Sequence, residues 1–225
     1  MNVRKFAGWW LAIVMLSAVP LSGQEPPASR WEDAMQAFER QDRKSPPAQQ
    51  ANVFVGSSSI RMWKLQDAFP GHDCVNRGFG GSEMADAAQY VKRIVLPLKP
   101  RVIVLYSGDN DLSKNKTPED VLAAYQDFAR QVREQSAETK LVVLALKPSP
   151  RRFSLADKYR AANRLLEAAV KTDPHAVFID VWSPMLGEEG FPRPELYMAD
   201  QLHLTPAGYR VWNQLVEPHL APRAP

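Results

Sequence analysis

Four short apolar runs rich in β-branched residues, Asn52–Val55, Val102–Tyr106, Leu141–Leu146 and Val177–Val181, recur along the chain with stretches of helical periodicity between them. Such runs are too short for buried helices and end in glycine, proline or polar breaks, so they read as strands buried on both faces of a sheet. A fifth, weaker run, His72–Asn76, follows the Pro70-Gly71 turn. Strands that alternate with helices require crossover connections, which are right-handed and place helices on both sides of a parallel sheet. The expected architecture is therefore α/β, a three-layer α/β/α sandwich around a five-stranded parallel sheet.

The helical segments between these runs carry their own boundary signals. Trp31, Met35 and Phe38 recur at helical spacing, predicting a helix over 30–43 that Ser45-Pro46-Pro47 ends. A helix from about Met84 to Ile94 stops before Pro97 and Pro100. Thr117-Pro118-Glu119-Asp120 combines an N-cap, a proline at the first helical position and an acidic first turn, so a helix runs from there to about Ser136. Another spans about Leu155 to Lys171, and Thr205-Pro206 opens the last, to about Glu217.

The first 23 residues differ from the rest. Arg4 and Lys5 precede an apolar run, Ala7–Leu21, and Ser22-Gly23 supplies small residues before a polar segment, the order of a secretory signal peptide. A retained anchor is the alternative, but the run is shorter than the ~20 residues that span a bilayer and contains Pro20. The expected organisation is a signal peptide over 1–23, a lead and helix over 24–49, and one domain over 50–225, exported to the periplasm or medium with no stable membrane span after cleavage. Cleavage leaves 26 basic against 25 acidic residues, a net charge of +1 in place of +3. With no dense basic face or nucleic-acid motif, nothing points to a nucleic-acid partner. Cys74 is the only cysteine, so an internal disulfide is impossible, and it reads as a small buried hydrophobe.

In a parallel sheet, sites form beyond the carboxyl ends of the strands. At those ends stand Gly56-Ser57-Ser58-Ser59, Gly78-Phe79-Gly80-Gly81, Gly108-Asp109-Asn110-Asp111 and the loop opening at Lys147. A serine where a strand hands over to a helix meets unpaired N–H groups that favour developing negative charge. Asp200-Gln201-Leu202-His203 sets a carboxylate three residues from an imidazole, a spacing that lets the carboxylate hold one ring nitrogen while the other faces a hydroxyl. Gly81 can offer an unobstructed N–H and Asn110 a side-chain amide to an oxygen that becomes negative. A turn glycine and an Asx turn are the competing readings. The glycine run is no dinucleotide fingerprint, since its third glycine would fall at Glu83.

Taken together and in this order, the four blocks resemble the SGNH (GDSL-like) hydrolase superfamily, over about residues 50–220. The resemblance implies a flavodoxin-like sheet, Ser58 as nucleophile, Asp200 and His203 as the acid-base pair, and an oxyanion hole formed by Ser58, Gly81 and Asn110. It implies ester hydrolysis without metal or organic cofactor, on acetylated glycans, short-chain esters or lysophospholipids. It leaves open acyl transfer to a sugar hydroxyl and a catalytically inactive glycan- or lipid-binding domain on the same fold. One departure stands out: Ser57 replaces the aspartate usual in the first block. Arg77, with Lys147, Arg151 and Arg152, is a candidate cationic rim for substrate, and Tyr106 a candidate contact to a sugar; a solvated basic loop and core packing are the competing readings.

Overall fold

The computed structural model describes residues 30–223; the signal-peptide reading of residues 1–23 lies outside them. Five strands, β1 (Asn52–Gly56), β2 (Cys74–Gly78), β3 (Val102–Tyr106), β4 (Lys140–Leu144) and β5 (Ala176–Ile179), form one parallel sheet in the order β2-β1-β3-β4-β5. Every residue of β1 and β3 is buried, while the edge strands β2 and β5 are partly exposed. This is why the central strands carry the unbroken apolar runs and the edge strands the weaker signals.

Eight α-helices accompany the sheet among the described residues: α1 (Glu32–Lys44), α2 (Ser58–Arg61), α3 (Leu65–Ala68), α4 (Met84–Ile94), α5 (Asp109–Ser113), α6 (Pro118–Gln135), α7 (Ala156–Val170) and α8 (Pro206–Val216). Contacts run from α1 to α4, α4 to α6 and α6 to α7, forming one outer layer. The opposite side is aromatic: Phe54 of β1 packs on Trp63 and Phe69, and Tyr106 of β3 lies 4.8 Å from Trp212 of α8. Helix α1 joins the same core through fully buried Met35 and is tied to α4 by Arg93, which donates to Glu32 and Glu39.

The expected caps are present. Thr117 Oγ1 accepts from Asp120 N–H and Asp120 returns the bond, while Thr205 Oγ1 accepts from Gly208 N–H. Strand β4 is shorter than its apolar run because the Asn163 amide takes over both backbone groups of Leu146, ending the ladder. Two short helices went unread in the sequence, α3 and α5. The latter is Asp-Asn-Asp-Leu-Ser, where every residue but Leu112 is a weak helix former, and is held from outside: the buried Asp111 carboxylate accepts from Met84 N–H at the start of α4.

Candidate active site

Strand β1 ends at Gly56 with φ +141°, and a Cβ there would stand 1.9 Å from the Tyr106 carbonyl oxygen. Only glycine lets the chain turn this close to β3. Ser57 then donates its N–H to the same carbonyl, and Ser58 becomes the first residue of α2. The three serines separate by environment. Ser57 Oγ is buried with no partner among the described residues, Ser59 Oγ accepts from Lys147 Nζ at 3.4 Å, and Ser58 Oγ lies 2.9 Å from His203 Nε2.

His203 and Asp200 sit on a tight loop before α8. Asp200 Oδ1 accepts from the N–H groups of Leu202 and His203, and its Oδ2 lies 2.5 Å from His203 Nδ1. With Nδ1–H donated to the carboxylate, Nε2 is left as an acceptor and the Ser58 hydroxyl donates to it. Burial by itself would raise the Asp200 pKa, but the His203 ring and the two backbone N–H groups together outweigh it and hold the carboxyl at about 2. Asp200 is therefore ionised at neutral pH and oriented toward the ring.

Gly81 and Asn110 stand in the segments that follow β2 and β3. Gly81 has φ +80°, while a Cβ there would meet only ordinary contacts, so the backbone conformation and not crowding calls for glycine. Buried Asn110, in α5, donates one Nδ2 hydrogen to the Ser82 carbonyl at 2.9 Å, which ties it to the residue next to Gly81. Its second Nδ2 hydrogen is not used in that bond. The chemistry available here is removal of the Ser58 proton by a held imidazole.

Beneath the site lies a buried charge cluster. Lys147 Nζ, on a side chain 1% exposed, lies 3.3 Å from Asp109 Oδ2 and 3.2 Å from the Tyr106 hydroxyl. Arg152 Nη1 stands 3.3 Å from the same Asp109 oxygen and 3.2 Å from the Asp109 carbonyl, which also accepts from the Tyr159 hydroxyl. Burial alone would raise the Asp109 pKa, yet Lys147 and Arg152 more than offset it and keep the carboxyl below its usual range. Burial pulls the Lys147 ammonium below its ordinary pKa, with Asp109 opposing.

Four expectations are corrected by this geometry. Lys147 is not on a rim but is the buried counterion of Asp109. Tyr106 is fully buried under Trp212 and faces Lys147, out of reach of a sugar. Arg77 is buried too: it donates to the Ile94 carbonyl and to both Asp42 oxygens, on the far side of β2 facing α1. A cation drawn into a carboxylate and carbonyl cage is satisfied internally and contributes nothing to a surface rim. Arg152, also read as part of the rim, is turned inward instead, its guanidinium held by Asp109 and Asn110.

A serine, an imidazole and a carboxylate hydrogen-bonded in series at the carboxyl edge of a parallel α/β sheet form the arrangement that serine-dependent hydrolysis requires. Residues 55–211 match the GDSL-like lipase/acylhydrolase family, and the chain belongs to it. Platelet-activating factor acetylhydrolase IB subunit alpha1 of Homo sapiens is 26% identical over 210 residues, covering 84% of this chain and 87% of that protein. A GDSL-like lipase from Bacteroides thetaiotaomicron superposes with a TM-score of 0.68 at 21% identity, covering 82% and 97% of the two chains. An acetyl-xylooligosaccharide esterase from Geobacillus superposes with a TM-score of 0.62 at 12% identity, over 79% and 99%. The sheet order and layers are those of this fold, and the protein is an ester-bond hydrolase.

Proposed function

We propose that the chain is an exported serine esterase that cleaves short acyl esters through a covalent acyl-enzyme. The observation that carries the reading is the continuous path from Asp200 Oδ2 to His203 Nδ1 and from His203 Nε2 to Ser58 Oγ. Ser58 Oγ attacks the ester carbonyl as its proton passes to Nε2, and Asp200 stabilises the imidazolium. The oxyanion is held by the N–H groups of Ser58 and Gly81 and by the Asn110 amide. Collapse breaks the bond to the alcohol, which leaves with the proton from Nε2. Water, deprotonated by the same nitrogen, then attacks the acyl-enzyme, and its collapse frees the carboxylic acid and returns the proton to Ser58.

The names of the human acetylhydrolase and the acetyl-xylooligosaccharide esterase both speak for an acetyl group as the acyl part. The N-terminal 23 residues support export, which would put the enzyme before extracytoplasmic esters, with glycan- or lipid-borne acetyl groups foremost. Labelling with a fluorophosphonate tests the reading. Wild type should label and hydrolyse p-nitrophenyl acetate, and Ser58→Ala should do neither. Full labelling of Ser58→Ala, with loss in Ser57→Ala or Ser59→Ala, would move the nucleophile to another serine.

A further inference from the structure

We propose that Arg152 is a positioning residue that aims the Asn110 amide at the oxyanion and strengthens it as a donor; this rests on the oxyanion-hole reading above. An asparagine amide can sit in two orientations related by a half turn, and only one presents its N–H to the site. Here the orientation is dictated from both sides. Arg152 Nη2 donates to Asn110 Oδ1 at 3.1 Å, and the Ser82 carbonyl accepts from Nδ2 at 2.9 Å. A guanidinium has donors only and a carbonyl is an acceptor only, so the flipped amide would set N–H against N–H and oxygen against oxygen. Both contacts are shielded from solvent, Arg152 being 17% exposed at its side chain and Asn110 8% overall, so water does not readily replace them.

The same guanidinium is anchored independently of the amide. Its Nη1 reaches the Asp109 carbonyl and carboxylate, so the planar fork joins Asp109 to the Asn110 side chain. A donor with a cation on its carbonyl oxygen is polarised toward a more positive N–H. The turn that carries Arg152, Pro150–Leu155, touches the other half of the site as well, since Arg151 N–H donates to the Gln201 carbonyl between Asp200 and His203.

The test is a double-mutant cycle on kcat for p-nitrophenyl acetate, with Arg152→Ala, Arg152→Lys, Asn110→Ala and the double variant Arg152→Ala/Asn110→Ala. Loss of one oxyanion donor costs about 10² to 10³ in kcat, so Asn110→Ala should fall in that range. Misaiming the same donor should cost part of it, about 10- to 100-fold for Arg152→Ala. Arg152→Lys keeps the charge but lacks the fork, and should lose about tenfold or more with KM within about twofold of wild type. In the Asn110→Ala background, removing Arg152 should change kcat by less than about threefold, because its action passes through the missing amide. Equal factors in both backgrounds, or full kcat in Arg152→Lys, would overturn the proposal. Ser58→Ala separates the two layers: if it retains hydrolysis, the site reading itself fails. If it is inactive while the cycle is multiplicative, only the role of Arg152 fails.

Discussion

Replacing Asp109 with asparagine should damage the fold far more than replacing its partner Lys147 with methionine. Asp109 and Lys147 side chains are 6% and 1% exposed, and their charged atoms stand 3.3 Å apart. At an effective dielectric constant of about 20 that separation corresponds to an attraction of about 5 kcal/mol. Asp109→Asn removes the carboxylate paired with Lys147 among the described residues and leaves Arg152 facing it, so two cations share one buried site. Breaking a buried pair in this way costs about 3–5 kcal/mol. For a chain of this size the melting temperature should fall by about 6–20 °C. Lys147→Met is milder, because Asp109 keeps Arg152 at 3.3 Å and the Tyr106 hydroxyl at 3.2 Å; a loss under about 2 kcal/mol is expected. The double variant should recover much of what Asp109→Asn loses.

The sign of the pH dependence follows from burial, which holds Lys147 below its unfolded pKa. Without Asp109 to oppose it, that depression deepens. The unfolded chain then binds more protons than the folded one between the folded pKa and about 10.4, so stability rises with pH there. The gap between Asp109→Asn and wild type should therefore narrow as pH rises toward about 10.4. Urea unfolding at several pH values measures all of this. Equal losses for the two single variants, a loss under about 1 kcal/mol for Asp109→Asn, or simple additivity in the double would refute the reasoning.

Gly56→Ala should be among the worst single substitutions, since its Cβ would collide with the Tyr106 carbonyl at 1.9 Å; a loss above about 3 kcal/mol is expected, against about 0.5 kcal/mol or less for Gly71→Ala in open space. Comparable urea midpoints for the two would contradict the geometry. Asp200 is held at about 2, below its unfolded value, so the stability it adds is present above about pH 4 and lost as pH falls through about 2. Asp200→Asn should be less stable than wild type at pH 6 and equal to it near pH 2. A difference that stays constant across that range would mean the carboxylate adds no pH-linked stability.

Periodicity and punctuation are local properties, and they determined most of the scaffold. The apolar runs at 102–106 and 141–146, the glycine and proline breaks after them, and the Thr117 and Thr205 caps each act within a few residues, so the sheet and long helices were legible in order. The residues at Ser58, Gly81, Asn110, Asp200 and His203 were legible as motifs because strand ends in a parallel sheet share one edge. Which serine meets the imidazole was a matter of distance across 145 residues of chain, and only the folded structure brings Ser58 Oγ to His203 Nε2. The fates of the cations were likewise undecided. Arg77, Lys147 and Arg152 look alike as basic residues near strand ends, yet one is buried against Asp42, one against Asp109, and one joins the Asp109 carbonyl to the Asn110 side chain. Charge and hydropathy are the same for an arginine on a rim and one in a cage. The difference lies in which carboxylates and carbonyls the tertiary fold places within 3–4 Å, and local sequence carries no record of that.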